Sequence, residues 1–151
     1  MMFQNILVPI DYSDNSLVAL EMAGKLAQQF NSRLDLVHVW DRPTYMSDAV
    51  LVGHGPGQKA LGELIHENAH RDMQEFLATV KLPPGVTANE RLVSGDPATM
   101  LLKEIQTHAY DLVVMGTHGR SGLAHLLLGS IAEKLIRHSA VPVLTVPGRK
   151  G

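Results

Sequence analysis

Four short apolar runs recur along the chain, at Asn5–Ile10, Leu34–Trp40, Leu112–Met115 and Val143–Val146, and longer amphipathic stretches separate them. A fifth strand of weaker pattern is predicted at Val86–Val93. Apolar runs of this length are typical of strands that are buried on both faces of a parallel sheet. The stretches between them carry apolar residues every three or four positions, which predicts α-helices. The predicted order of elements is therefore β-α-β-α-β-α-β-α-β.

The first two helices have recognisable ends. The first follows the polar segment DYSDNS and ends near Phe30, with Asn31 as a left-handed C-cap. A long loop over Asp41–Gly57 is predicted from its glycines and prolines, and loops of this length are usually functional or mobile. The second helix is predicted from about Gln58 to Val80, before a Pro-Pro-Gly stop.

The last two helices begin with capping signals. Asp96 at the N-cap and Pro97 at the first helical position open the third helix. Ser130–Glu133 matches a capping box, which predicts that the fourth helix starts there and ends near His138.

Alternating strands and helices predict an α/β, Rossmann-like fold, with helices on both faces of a five-stranded parallel sheet. We expect a single domain over residues 1–151. In such sheets, ligands bind beyond the carboxyl ends of the strands, where the strand order reverses. If the reversal falls between the third and fourth strands, the first and fourth strands become neighbours. The crevice then lies between Pro9-Ile10-Asp11 and Met115-Gly116.

The segment from Val113 to Ser130 joins the fourth strand to the last helix and carries the glycine pattern G-x2-G-x9-G-S. Glycines allow an anion to approach the backbone, and a helix N-terminus adds free N–H donors. The pattern is neither a Walker A loop nor G-x-G-x-x-G. It predicts a phosphate site, and Asp11 on the facing wall favours a nucleotide. The alternatives are that the glycines only form turns, that Ser130 is only a helix cap, and that Asp11 only caps the first helix.

The amino-acid composition excludes several classes of protein and of binding site. The 151 residues are 45% hydrophobic and 19% charged, with a formal net charge of −2, and they include no cysteine. The composition lacks the basic excess of nucleic-acid-binding proteins, and disulfides and thiolate metal sites are excluded. No apolar stretch approaches the roughly 20 residues that cross a bilayer, and the first residues do not resemble a signal peptide. We expect a cytoplasmic protein that binds neither nucleic acid nor membranes.

A second motif, His66-Glu67-Asn68-Ala69-His70, matches the H-E-x-x-H pattern of zinc peptidases. Helical spacing places both histidines on the flank of the second helix, away from its apolar face. No third ligand follows in a recognisable pattern. We therefore favour a solvated helix surface over a metal site.

The motif and its surroundings resemble one known family. G-x2-G-x9-G-S, preceded by DLVVMG and followed by AVPVLTV, resembles the ATP-binding subgroup of the universal stress protein family. NILVPIDYSDNS resembles the first strand and loop of that family, and DPATMLLKEIQTHAYDLVVMGTHGR resembles its third helix and fourth strand. The resemblance covers nearly the whole chain except the loop from Asp41 to Gly57. It implies a strand order of 3-2-1-4-5 and a bound ATP.

The resemblance also implies roles for individual residues. The adenine and ribose would be held by Asp11 and by backbone groups at Pro9 and Val39, and the ribose would be lined by Met115 and Gly116. The phosphates would be held through backbone N–H groups and a serine hydroxyl at Gly119, Gly129, Ser130 and Ile131, with Arg120 as the nearby cation.

Members of the family generally act as nucleotide-dependent stress-response regulators with weak or no hydrolysis. The last strand, Val143–Val146, is apolar and carries no protecting lysine, so we expect a homodimer that pairs through this edge. The alternative function is a slow ATPase or autophosphorylating enzyme at the same site. In that case Asp11 or His118 would assist, and a magnesium ion would be carried by the phosphates.

Overall fold

The computed structural model describes residues 2–40, 47, 49–118 and 128–149. The strands in these ranges are β1 (Asn5–Pro9), β2 (Arg33–Trp40), β3 (Leu51–Val52), β4 (Lys59–Ala60), β5 (Ala88–Ser94), β6 (Leu112–Gly116) and β7 (Val143–Val146). The helices are α1 (Asp14–Phe30), α2 (Leu61–Ala78), α3 (Pro97–Thr107) and α4 (Ser130–His138). None of the described helices is both long enough and apolar enough to cross a membrane.

Within the described ranges, five strands form one parallel sheet in the order β5-β2-β1-β6-β7. Numbered along the chain without the short β3 and β4, this order reads 3-2-1-4-5, which confirms the predicted topology. The chain jumps across β1 between β5 and β6, and α3 makes the crossover. As a result β1 and β6 are neighbours, and the segments that follow them diverge at the carboxyl edge of the sheet.

Side chains that alternate along β1 divide the core into two layers. Ile6 and Val8 belong to the layer that includes residues of α1 and Met73 of α2. Leu7 belongs to the opposite layer, with Leu135 of α4 and residues of α3. All five side chains named here are fully buried. Helices therefore cover both faces of the sheet, which is why its inner strands are apolar at consecutive positions.

Two predicted caps are confirmed. Asn31 ends α1 in the left-handed conformation, with a φ of 55°, and its N–H donates to the carbonyl of Ala27. Asp96 opens α3, and its side chain accepts the N–H of Thr99 at 3.0 Å.

The predicted capping box of α4 is wrong. The N-cap is Gly129, and Ser130 is already the first helical residue. The backbone N–H of Glu133 bonds the carbonyl of Gly129 at 2.9 Å, and no side chain caps the helix among the described residues. Because the glycine cap has no side chain, the first N–H groups of α4 have no partner there.

The predicted loop before α2 contains a small hairpin. Leu51 pairs with Ala60 and Val52 with Lys59 in antiparallel register, and a 3-10 turn over Gly55–Gly57 connects the two strands. The helix that follows is also shorter than predicted, since it begins at Leu61 and ends at Ala78. The remainder of the predicted loop, residues 41–46 and 48, lies outside the described residues.

A polar cluster surrounds Asp35 near the start of β2. The Asp35 carboxylate, only 4% exposed as a residue, accepts from the Tyr110 hydroxyl at 2.8 Å, Asn89 Nδ2 at 3.1 Å and Arg33 Nε at 3.0 Å. Burial acts to raise the pKa of Asp35, but these hydrogen bonds and the charge of Arg33 outweigh it and hold that pKa below its usual value. Burial and the neighbouring Asp35 carboxylate raise the pKa of Tyr110.

Gly116 ends β6 where that strand passes the first turn of α1. A Cβ atom at Gly116 would lie 2.9 Å from the Cβ of Asn15 and 3.0 Å from its carbonyl oxygen. Two of the three nearest atoms belong to the backbone, so a side chain here could not be accommodated by a rotamer change. One residue further on, the N–H of Thr117 bonds the carbonyl of Val146 in β7 at 3.3 Å. The glycine therefore sets the spacing between α1 and the end of β6.

Tyr110→Phe is expected to reduce the free energy of unfolding by about 1–3 kcal/mol near neutral pH, because the buried Asp35 carboxylate loses a donor. The lowered pKa of Asp35 means that its contribution is present above the unfolded-state pKa of about 3.9 and is lost as pH falls further. The raised pKa of Tyr110 means that its contribution is present below about pH 10 and is lost above it. The difference between the proteins should therefore be largest from about pH 5 to 9 and shrink on both sides.

Urea unfolding across this pH range measures the difference. Thr79→Val is the matched control, because the Thr79 hydroxyl donates to the carbonyl of Phe76 at 2.7 Å on an exposed residue. Its effect should stay within about 0.5 kcal/mol. If Tyr110→Phe were as mild as this control, the cluster would not stabilise the fold.

Gly116→Ala is expected to destabilise the protein by about 1–3 kcal/mol, because the added methyl group overlaps the backbone of Asn15. Gly57→Ala is the control, since no heavy atom lies within 4 Å of a Cβ built at Gly57. Thermal unfolding of both variants measures the effect. Equal melting temperatures for the two variants would contradict the close packing at Gly116.

Candidate functional site

A cleft of about 280 Å³ opens at the carboxyl edge of the sheet, beside the ends of β1 and β6. Its walls come from the ends of β1 and β2, the first turns of α1, α3 and α4, and the residues directly after β6. Its position is the place where the strand order reverses, which is where ligands bind in open α/β sheets.

Nine of the eleven residues that the sequence predicts for the site line this cleft. They are Pro9, Ile10, Asp11, Val39, Met115, Gly116, Gly129, Ser130 and Ile131. The other two, Gly119 and Arg120, lie outside the described residues. The fold thus brings together four separate segments of the sequence.

Further residues line the cleft that the sequence did not assign to the site. They are Ser16, Val37, Pro97, Leu101, Thr117 and Ala132, together with His118, which was named only for the alternative enzymatic function. The strand order predicted from the sequence could have identified Pro97 and Leu101 as lining residues. A helix that crosses over β1 to reach β6 must start above the carboxyl edge of the sheet, so its first turns border any ligand there.

The lining divides into an apolar part and a polar part. Val37, Val39, Leu101 and Met115 supply apolar side chains, which suit a flat, weakly polar ligand group. The polar groups come from Asp11 on one side and from the residues between β6 and α4 on the other. An apolar cleft with a few convergent polar groups is the usual form of a small-molecule site.

Asp11 is held firmly against the first turn of α1. Its Oδ1 accepts the N–H of Ser13 at 3.0 Å and the hydroxyl groups of Ser13 and Ser16. Its own N–H donates to Ser16 Oγ at 2.9 Å. Ser13, and not Asp11, is the N-cap of α1. The alternative that Asp11 serves only as that cap is therefore wrong.

The first turn of α4 forms the facing wall. The N–H of Gly129 donates to the carbonyl of Thr117 at 2.6 Å. This amide is therefore already bonded within the protein and does not bind a ligand, in contrast to the role that the family resemblance implies for it. The next amides, at Ser130 and Ile131, have no partner within the helix by geometry. No hydrogen bond joins them to another described part of the chain. These two amides, with the positive end of the helix dipole, suit an anionic group.

Ser130 is not used as a cap, since its side chain makes no capping hydrogen bond. The alternative that its hydroxyl serves only this purpose is therefore wrong. Ser130 lines the cleft together with Ile131, so this turn can offer a hydroxyl group as well as backbone amides.

The ionisable side chains among the described lining residues are those of Asp11 and His118. The Nδ1 atom of His118 lies 3.0 Å from the hydroxyl oxygen of Thr117. No group of three or more His, Asp or Glu side chains that could hold a metal ion occurs in the described ranges.

The H-E-x-x-H motif lies on α2, on the opposite face of the sheet from α3 and α4. Both His66 and His70 are exposed, and the Nδ1 atom of His70 contacts a carboxylate oxygen of Glu90 on β5. His70 therefore belongs to a surface contact between helix and sheet.

Residues 2–147 match the model of the Universal stress protein family. Universal stress protein MJ0531 of Methanocaldococcus jannaschii is 32% identical, over 96% of this chain and 82% of its own length. The structure of hypothetical protein MJ0577 superposes with a TM-score of 0.76 at 25% identity and covers 100% of both chains. A universal stress protein solved in complex with cAMP gives a TM-score of 0.63 at 28% identity, over 99% of this chain and 100% of its own. The chain belongs to the universal stress protein family.

Proposed function

We propose that this protein binds ATP in the cleft and acts as a nucleotide-dependent regulator of a stress response. Two opposed walls of the cleft support this proposal, because one offers hydrogen-bond donors and the other an acceptor. The uncapped first turn of α4 offers amide donors, and the fixed carboxylate of Asp11 faces the same cleft.

The base, the ribose and the phosphates of ATP each match the chemistry of a different part of the cleft lining. The adenine ring packs on the apolar side chains of Val37, Val39 and Leu101. Ribose hydroxyl groups donate to the Asp11 carboxylate, which is a charge-assisted hydrogen bond. The phosphates accept from the amides of Ser130 and Ile131 at the helix N-terminus. The relative solved with cAMP supports an adenine nucleotide as the class of ligand.

A polyphosphate is favoured over a nucleoside by the donors at the α4 end. Ser130 and His118 line the same cleft as Ile131, and each carries a side chain that can donate a hydrogen bond. Arg120, which the family resemblance implies as the cation near the phosphates, follows His118 by two residues in the sequence. Since anionic oxygens bind best where several donors converge, this end suits more than one phosphate group.

The edge strand β7 supports a second part of the proposal, a homodimer. Within the described sheet β7 pairs only with β6, so its other side offers unpaired backbone groups. Leu144 is 38% exposed on this strand, and Ile136 of the adjacent helix α4 is 48% exposed. An apolar edge without lysine favours pairing with a second strand, and an antiparallel pair of β7 strands would join two copies.

Ser130→Glu is expected to raise the dissociation constant for ATP at least tenfold. The added carboxylate repels the phosphates, whereas an acidic residue in the first turn is compatible with the helix dipole. Isothermal titration calorimetry measures the affinity. Gln28→Glu adds the same charge at the opposite end of the sheet, on an exposed residue near the end of α1, and should bind ATP like the wild type.

Extraction of nucleotide from the purified wild-type protein completes this test, and adenine nucleotide should be recovered or bind when added. A wild-type protein that neither carries nor binds ATP would refute the proposed function. Equal ATP affinities for Ser130→Glu and Gln28→Glu would show that the phosphates do not bind at the first turn of α4.

Leu144→Lys is expected to convert a dimer into a monomer, because a lysine on the edge strand prevents close strand pairing. Leu51→Lys is the control, since Leu51 is also an apolar strand residue and is 61% exposed. Sedimentation velocity measures both. A dimer that survives Leu144→Lys, or that Leu51→Lys disrupts instead, would place the interface elsewhere.

A further inference from the structure

Ser16 occupies an unusual position at the cleft. The residue is only 5% exposed, yet it borders the cleft next to Asp11. We propose that Ser16 is a positioning residue for the nucleoside end of the site, because it fixes the direction of the Asp11 carboxylate. This inference rests on the proposed function, since it assigns Asp11 to the sugar of a bound nucleotide.

Two hydrogen bonds join Ser16 to Asp11. The N–H of Asp11 donates to Ser16 Oγ at 2.9 Å, and the Ser16 hydroxyl donates to Asp11 Oδ1. One hydroxyl group therefore binds both the backbone and the side chain of Asp11. This closed arrangement holds the side-chain dihedral angles of the aspartate, whereas the two hydrogen bonds from Ser13 reach only Oδ1 and not the backbone N–H of Asp11.

Ser13 has a different part in the same network. Its hydroxyl accepts the N–H of Ser16 at 3.2 Å as the N-cap of α1 and also donates to Asp11 Oδ1. It does not bond the backbone N–H of Asp11. Both hydroxyl groups thus have a donor and an acceptor role filled within the protein, and the network ties the carboxylate to the start of a helix.

The backbone turns sharply directly after Asp11. Tyr12 has a φ of 65°, and its ring packs against that of His38 at a centroid distance of 4.4 Å, with the two planes tilted by 37°. The aspartate is therefore fixed on its carboxyl side by Tyr12 and on its side chain by Ser13 and Ser16. A carboxylate that is already ordered loses less conformational entropy when a ligand binds, so this arrangement increases affinity.

The first measurement compares ATP affinity in Ser16→Ala with the wild type. We expect the dissociation constant to rise about fivefold to tenfold, which corresponds to the loss of one good hydrogen bond. Ser139→Ala is the matched control, because the Ser139 hydroxyl likewise accepts from and donates to backbone groups, both of Val141, at 3.2 and 2.8 Å. That variant should bind ATP within about twofold of the wild type.

A double-mutant cycle separates positioning from general loss of structure. In an Asp11→Ala background, Ser16→Ala should change ATP affinity by less than about twofold, because the group that it orients is gone. Ser16→Thr keeps the hydroxyl and should restore most of the affinity.

Three outcomes decide the inference. A loss of affinity confined to the protein that retains Asp11 supports it. An equal loss in both backgrounds, or no loss in Ser16→Ala while the wild type binds ATP, overturns it and leaves the proposed function intact. A wild-type protein that does not bind ATP defeats the proposed function itself.

Discussion

The double pairing of β1 is the constraint on which the site depends. This strand bonds β2 on one side and β6 on the other. At its start, the carboxylate of Asp111, directly before β6, accepts the N–H groups of Gln4 at 2.7 Å and Asn5 at 3.1 Å. That contact aligns the amino ends of the two strands. Their carboxyl ends are then fixed relative to each other as well, and Asp11 and Gly116 meet at one cleft.

Much of the fold could be predicted because burial on both faces makes the inner strands apolar at consecutive positions, as at Ile6, Leu7 and Val8 of β1. The predicted bounds of the edge strand Val143–Val146 also agree with the structure. The β3–β4 hairpin was not predicted, because the residues of β3 are exposed and not buried. Leu51 and Val52 are 61% and 40% exposed, so burial imposes no periodic pattern on them, and the neighbouring glycines indicate only a loop. The bounds of α4 were predicted correctly, but its N-cap was assigned to Ser130 because both Gly129 and Ser130 are acceptable N-caps. A tertiary bond from Gly129 to Thr117 accompanies the glycine cap, and no local pattern encodes it.

The site shows the same division between local and tertiary information. Glycine spacing and a carboxylate at a strand end are local signals, and they led to residues that share one cleft. Leu101 could not be distinguished from a core residue, because an apolar helix face has the same pattern whether it packs on a sheet or on a ligand. Ser16 is one residue of the polar segment DYSDNS, which in the sequence predicts only that a helix follows. Its contact with Asp11 depends on how α1 leaves the sheet.

The peptide groups of Thr117 join two distant parts of the molecule. The N–H of this residue bonds the carbonyl of Val146 at the end of β7, and its carbonyl accepts the N–H of Gly129 at the start of α4. The two bonds belong to successive peptide planes that share the Cα atom of Thr117, so a strand that docked on β7 and displaced its end would act on the first turn of α4 through a single residue. Occupancy of the cleft and association at the sheet edge would then be thermodynamically coupled, and each would change the affinity of the other by the same factor.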